Sequence, residues 1–261
     1  MSICPMQAIA VDTTSNRAQV NRDECVECYA CYNGMSMERL NPTIIRSIRS
    51  LLKLFRLRFD PEPDVCPTSA ITPEELSWPR VVRRAFSDPV VTHESTGVHG
   101  RGTEEVKTND VTNRVGVGEV GYVVEFGRPT IGVRFREIEK MTMALSRIGI
   151  EFEAKNPVTH MMSDRRTGKL RDDVLDEKIL SAIVEFKTTV AEMPVVLRRV
   201  EEVAKTLDTV VAVGVSTRCD DRGDSALDSI LVDEGFSFVR GKTNLGLGSL
   251  CLRERSARSA G

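Results

Sequence analysis

Aromatic side chains are scarce: one Trp, three Tyr and nine Phe make up 5% of 261 residues. That scarcity argues against a surface built to stack bases. Neither sign of charge is in excess, with 36 basic and 38 acidic residues and a formal net charge of −2. There is thus no electrostatic case for a nucleic-acid partner. No apolar run approaches the ~20 residues that span a bilayer, so no transmembrane segment is expected. No early segment joins a basic start, an apolar core and a small-residue cleavage site, and a cytoplasmic location is expected. Only three histidines occur. No HExxH, no Ser-His-Asp order and no dinucleotide-binding glycine pattern can be read.

What is present is a folded composition, 41% hydrophobic and 28% charged, long enough for one large domain or two ordinary ones. Within it stand seven cysteines. Five fall into three signals: Cys4-Pro5, Cys25-x2-Cys28-x2-Cys31, and Cys66-Pro67. In a reducing compartment, cysteines grouped in this way point to metal ligands before disulfides. Cys219 and Cys251 stand alone and read as small buried or idle thiols.

The first signal recurs in the third. Cys4-Pro5-Met6-Gln7-Ala8-Ile9 matches Cys66-Pro67-Thr68-Ser69-Ala70-Ile71 as Cys-Pro-x-x-Ala-Ile. Between Cys4 and Cys25, Ile9–Asp12 and Ala18–Val20 read as the arms of a hairpin around a polar turn at Thr13–Asn16. Asn21–Glu24 then leads into the cysteine triplet. Residues 1–75 resemble bacterial-type ferredoxins in these features, and the resemblance implies one 4Fe–4S cluster and one-electron chemistry.

Two departures from that family stand out. Its repeat is C-x2-C-x2-C-x3-C-P, with the last cysteine on the other cluster. Here the triplet occurs once, which leaves room for one cluster, and Met35 stands where the fourth cysteine is expected. The family's crossed wiring implies Cys4, Cys25, Cys28 and Cys31 as the ligand set. Single-cluster ferredoxins, which place a remote Cys-Pro downstream, imply Cys66 in place of Cys4. The ordinary hairpin length between Cys4 and Cys25 favours Cys4. A four-cysteine zinc site is the competing reading, although such sites usually draw on two separated pairs. With Met1 only three residues before Cys4, a longer true N-terminus with a further triplet stays open.

An insertion separates Cys31 from Cys66. Over 42–59, Ile44, Ile45, Ile48, Leu51, Leu52, Phe55 and Phe59 recur at helical spacing, opposite Arg46, Arg49, Lys53 and Arg56. Pro61 and Pro63 end the helix. The stripe suits a helix that covers the core, one that docks on an acidic redox partner protein, or one that lies on an anionic membrane. Residues 76–118 then read as a connecting segment rich in Gly, Thr and charge. Its 97–114 stretch has three glycines close together, and with His93, His99 and Glu104 nearby it could cradle an acidic or CoA-like substrate.

Residues 119–250 read as a second domain. The pattern predicts strands at Glu119–Phe126, Ile150–Ala154, Ile179–Val190 and Val210–Ser216, and helices at Arg134–Ile148 and Pro194–Leu207. Val158–Met162 is expected to extend the pairing, and Val174–Phe186 also admits a helix. Ser225–Asp233 and Phe236–Arg240 read as a further helix and strand. The fold class expected is α+β: a ferredoxin-type cluster domain with a helical insertion, then a βαββαβ sandwich with a C-terminal extension. Glu125-Phe126-Gly127-Arg128-Pro129 resembles the first strand and turn of ACT-type regulatory domains, which implies a small-molecule ligand and paired domains. The expected function is an iron–sulfur electron-transfer or regulatory subunit that passes single electrons to an anaerobic reductase or dehydrogenase partner, within a homo-oligomer or complex. The alternatives are a reductase acting at the 97–114 loop and a metabolite sensor with a structural cluster. No catalytic residue is assigned.

Overall fold

Two short strands organise the first unit. In the computed structural model, which describes residues 4–33, 42–55, 71–89, 91, 114–220 and 222–239, β1 (Ile9–Asp12) pairs antiparallel with β2 (Arg17–Val20). Asp12 makes the turn, its carboxylate accepting the Thr14 and Ser15 amides at 3.2 and 3.1 Å. This is the local hydrogen bonding for which Asp is favoured in turns. α1 (Ala30–Asn33) begins inside the cysteine triplet, and α2 (Pro42–Leu54) lies in the insertion. The expected continuation of α2 to Phe59 lies outside the described residues.

The segment expected only to connect contains a helix, α3 (Val81–Ser87). Val82 and Phe86, four apart, turn one face inward and join the core of the second unit. Phe86 meets Phe135 edge to face, with ring centroids 5.2 Å apart. The Ser87 hydroxyl accepts the Leu180 amide at 2.9 Å. Residues 81–87 are therefore part of the packed structure.

The second unit begins with β3 (Glu119–Phe126), then β4 (Val133–Arg134), α4 (Phe135–Ser146) and β5 (Glu151–Phe152). α5 (Pro157–His160) follows, where pairing was expected to extend. The Asn156 side chain accepts the Val158 amide at 2.9 Å and Pro157 occupies the first turn, so a cap and a proline start a helix here. β6 (Met162–Asp164) and β7 (Lys169–Leu170) close around the Asp164–Gly168 turn. β8 (Lys178–Ile179) pairs with β4, and β9 (Ala182–Thr189) resolves the helix–strand ambiguity in favour of a strand. α6 (Met193–Ala204), β10 (Val211–Thr217) and α7 (Ala226–Asp233) complete the order.

One four-stranded antiparallel sheet results, in the order β10-β3-β9-β5. The fold is α+β. Val120, Tyr122, Val124 and Phe126 of β3 face α4 and α6, whose Ile138, Met141, Leu145, Val196 and Val200 close the core. The valine-rich β10 reads as a buried strand but forms an edge, with Val213 exposed. Phe236 forms no strand. Gly235 ends α7 at φ 75°, and the Phe236 amide returns to the Leu231 carbonyl at 2.8 Å, which makes Phe236 a hydrophobic stop on the helix.

Candidate functional site

The hairpin returns the chain beside its start, and this brings the cysteine loops together. The Asn21 amide donates to the Ala8 carbonyl at 2.7 Å. The Asn21 side chain accepts the Asp23 and Glu24 amides, and its carbonyl takes the Cys25 amide at 3.0 Å. Asn21 thus turns the strand into the triplet. Ala8 and Val26 are buried beneath it.

Cys4, Cys25, Cys28 and Cys31 are free, half-buried thiols, and a charge on Cys4 would be felt at each of the other three. Each sulfur meets peptide N–H groups. Cys4 Sγ accepts the Ala8 amide at 3.3 Å. The backbone amides of Glu27 beside Cys25, of Ala30 beside Cys28, and of Cys31 and Tyr32 beside Cys31 favour the thiolate form of each. The backbone takes an unfavourable shape in these loops. Five described non-glycine residues have positive φ, and Gln7, Glu27 and Tyr29 lie in the two cysteine loops. For a side chain as large as that of Tyr29 this is an outlier conformation, of the kind found at functional sites.

Burial pushes the Cys28 thiol up to about 11 and also raises Cys25 and Cys31. The amide contacts work in the opposite direction, and the neighbouring thiols add to the rise. Without a cation Cys25, Cys28 and Cys31 therefore hold their protons at neutral pH, and any metal they bind must displace them. Among the described residues no three His, Cys, Asp or Glu converge closely enough to hold a metal ion. Thiolates that bind four separate irons stand further apart than thiolates on one ion, so that finding is compatible with a cluster. Cys66 lies outside the described residues, as do His93, His99, Glu104 and residues 97–113 of the glycine-rich stretch.

The loop is braced by side chains that the cysteine pattern did not point to. Arg83 on α3 is buried and donates to the carbonyls of Arg22, Asp23 and Cys25 at 3.2, 2.8 and 2.8 Å. Its guanidinium also pairs with Glu177 of the second unit. Arg80 bonds Glu27, between the first two cysteines, at 2.8 Å, and the Arg22 carbonyl at 2.9 Å. Asp23 meets Arg134 at 2.6 Å, and Glu24 pairs with Lys178. The Met6 methyl reaches so close to Gly132 that an added Cβ there would lie 2.7 Å from it.

A second polar group lies on the sheet face away from α4 and α6. Glu185 is buried, accepts from the Asn156 side-chain amide at 2.9 Å and lies 3.6 Å from Arg114, which meets Glu153 at 3.0 Å. These contacts tie the approach to β3 onto the sheet. Glu125, near the end of β3, lies 3.8 Å from Arg128.

The chain matches no family model, no curated protein and no solved structure.

Proposed function

We propose that Cys4, Cys25, Cys28 and Cys31 hold one 4Fe–4S cluster, and that the chain is an electron-transfer or regulatory subunit for a reductase or dehydrogenase. The observation that supports this reading is that Cys4 acts electrostatically on Cys25, Cys28 and Cys31, with peptide N–H groups close to each of the four sulfurs. The donor set is the all-thiolate set that such clusters take. When bound, the cluster accepts and releases single electrons. The chain's own part is to position the sulfurs, supply amide hydrogen bonds that set the potential, and hold the loop rigid through Arg80 and Arg83. The thiols are half-buried, so a centre that they held would be open to the approach of a redox partner protein.

The finer architecture belongs to the same proposal. Residues 1–75 form the ferredoxin-type unit, and 119–250 a split βαβ sandwich. In support, the first and third sheet strands, β3 and β9, are central, while the second and fourth, β5 and β10, are at the edges. This sandwich would serve as the docking or ligand-sensing part.

The test is electron paramagnetic resonance of anaerobically purified full-length chain before and after dithionite. The reading expects a silent oxidised state and a signal from one unpaired electron on reduction, reversible on reoxidation. A chain silent in both states and colourless would overturn it.

A further inference from the structure

The most conspicuous feature that the cluster leaves unused is α2. Ile44, Ile48, Leu51, Leu54 and Phe55 are all exposed, Leu51 at 59%, Phe55 at 65% and Leu54 at 77%. These five side chains are therefore not spent on covering the core. An exposed apolar patch of this kind marks an interaction surface.

What would cover it follows from its chemistry. At 100° per residue, the exposed residues and the half-buried Leu52 spread over nearly half the circumference of the helix. A groove on a protein reads a narrower row of anchors at i, i+3, i+4 and i+7. A helix lying in the plane of a bilayer sinks a broad arc of this kind between the headgroups. In the sequence Arg46, Arg49 and Lys53 fall at helical spacing outside that arc, and Lys53 is exposed. Residues 42–59 contain no acidic side chain, although the whole chain has more acidic than basic residues. This local excess of positive charge complements an anionic headgroup layer.

We infer that α2 docks the chain in the plane of an anionic lipid surface, with Ile44, Ile48, Leu51 and Phe55 inserted and the basic stripe among the headgroups. The attachment is peripheral. No described helix is long and apolar enough to cross a membrane.

The inference does not depend on the cluster, and its test is read independently. Full-length chain is sedimented with phosphatidylglycerol–phosphatidylcholine vesicles and with phosphatidylcholine vesicles alone, and iron is measured in parallel. Wild type should pellet with the anionic vesicles only, and less as salt rises. Leu51→Asp/Phe55→Asp should stay in the supernatant with its circular dichroism unchanged, because both positions are exposed. Arg49→Gln/Lys53→Gln should bind on the order of 30-fold more weakly. No pelleting with anionic vesicles, equal pelleting with phosphatidylcholine alone, or wild-type binding by Leu51→Asp/Phe55→Asp would each overturn the inference. A dimer abolished by Leu51→Asp/Phe55→Asp, without vesicle binding, would assign the face to a second copy. Binding to polyglutamate without vesicle binding would assign it to an acidic protein. Either result rejects the lipid assignment.

Discussion

Replacing Arg83 with Met should weaken the cysteine loop and the joint between the two units in one step. The side chain is 5% exposed and its partner Glu177 13%, so neither charge is well solvated. Breaking a buried pair by removing one partner costs about 3–5 kcal/mol. Three backbone carbonyls, of Arg22, Asp23 and Cys25, also lose a charged donor, which places the expected cost toward the upper end. For a chain of this size each kcal/mol moves the midpoint by about 2–4 °C, so a fall of roughly 6–20 °C is expected. The assay is thermal unfolding of anaerobically purified full-length chain followed by circular dichroism, with iron release followed in parallel. Arg83→Lys keeps the charge but not the planar fork that reaches several acceptors, and should fall between the two. Combining Arg83→Met with Glu177→Gln should cost less than the sum of the single changes, because the two residues share one interaction. An unshifted midpoint in Arg83→Met, or strict additivity in the double variant, would refute the reasoning.

Cys4→Ser should lose or distort the metal centre while Cys66→Ser retains it, as measured by iron content. The reverse result would transfer the fourth ligand to Cys66. Gly132→Ala should destabilise the chain by roughly 1–2 kcal/mol from its left-handed backbone alone, and more because its Cβ would meet the Met6 methyl and the Ile179 carbonyl. Chemical denaturation measures the cost, and an unchanged midpoint would contradict the close approach. The single Trp, Trp78, donates to Asp173 at 2.7 Å. The Arg171 guanidinium first, and Trp78 second, hold the Asp173 carboxyl down to about 2. A depressed carboxylate stabilises the fold above its unfolded value of about 3.9 and loses that contribution as pH falls through its folded value. Trp78 emission from folded chain should therefore show no Asp173-dependent step near pH ~4. A step there that Asp173→Asn removes would contradict the contact.

The parts of the fold that could be read from sequence were those encoded locally. Thiol spacing marked Cys25, Cys28 and Cys31, and the Cys-Pro repeat marked Cys4. Strand alternation outlined Glu119–Phe126, and helical spacing outlined Phe135–Ser146. Where two local signals competed, the reading failed. Val158–Met162 looked β-branched and extended, but Asn156 and Pro157 formed a cap and first turn and started a helix instead. The valines of β10 suggested burial, yet burial depends on strand order, which no local pattern encodes. α3 was missed because its seven residues have only Val82 and Phe86 as an inward pair amid arginines. The role of Arg83 could not be read at all. Its partners are 58 residues away at Cys25 and 94 away at Glu177, so only the folded chain brings them together.

The account depends on what the four sulfurs hold, and counting that content tests it most directly. Full-length chain purified and kept under anaerobic conditions should contain about four iron atoms and four acid-labile sulfides, with no zinc. A single zinc per chain, or iron without sulfide, would contradict the central claim.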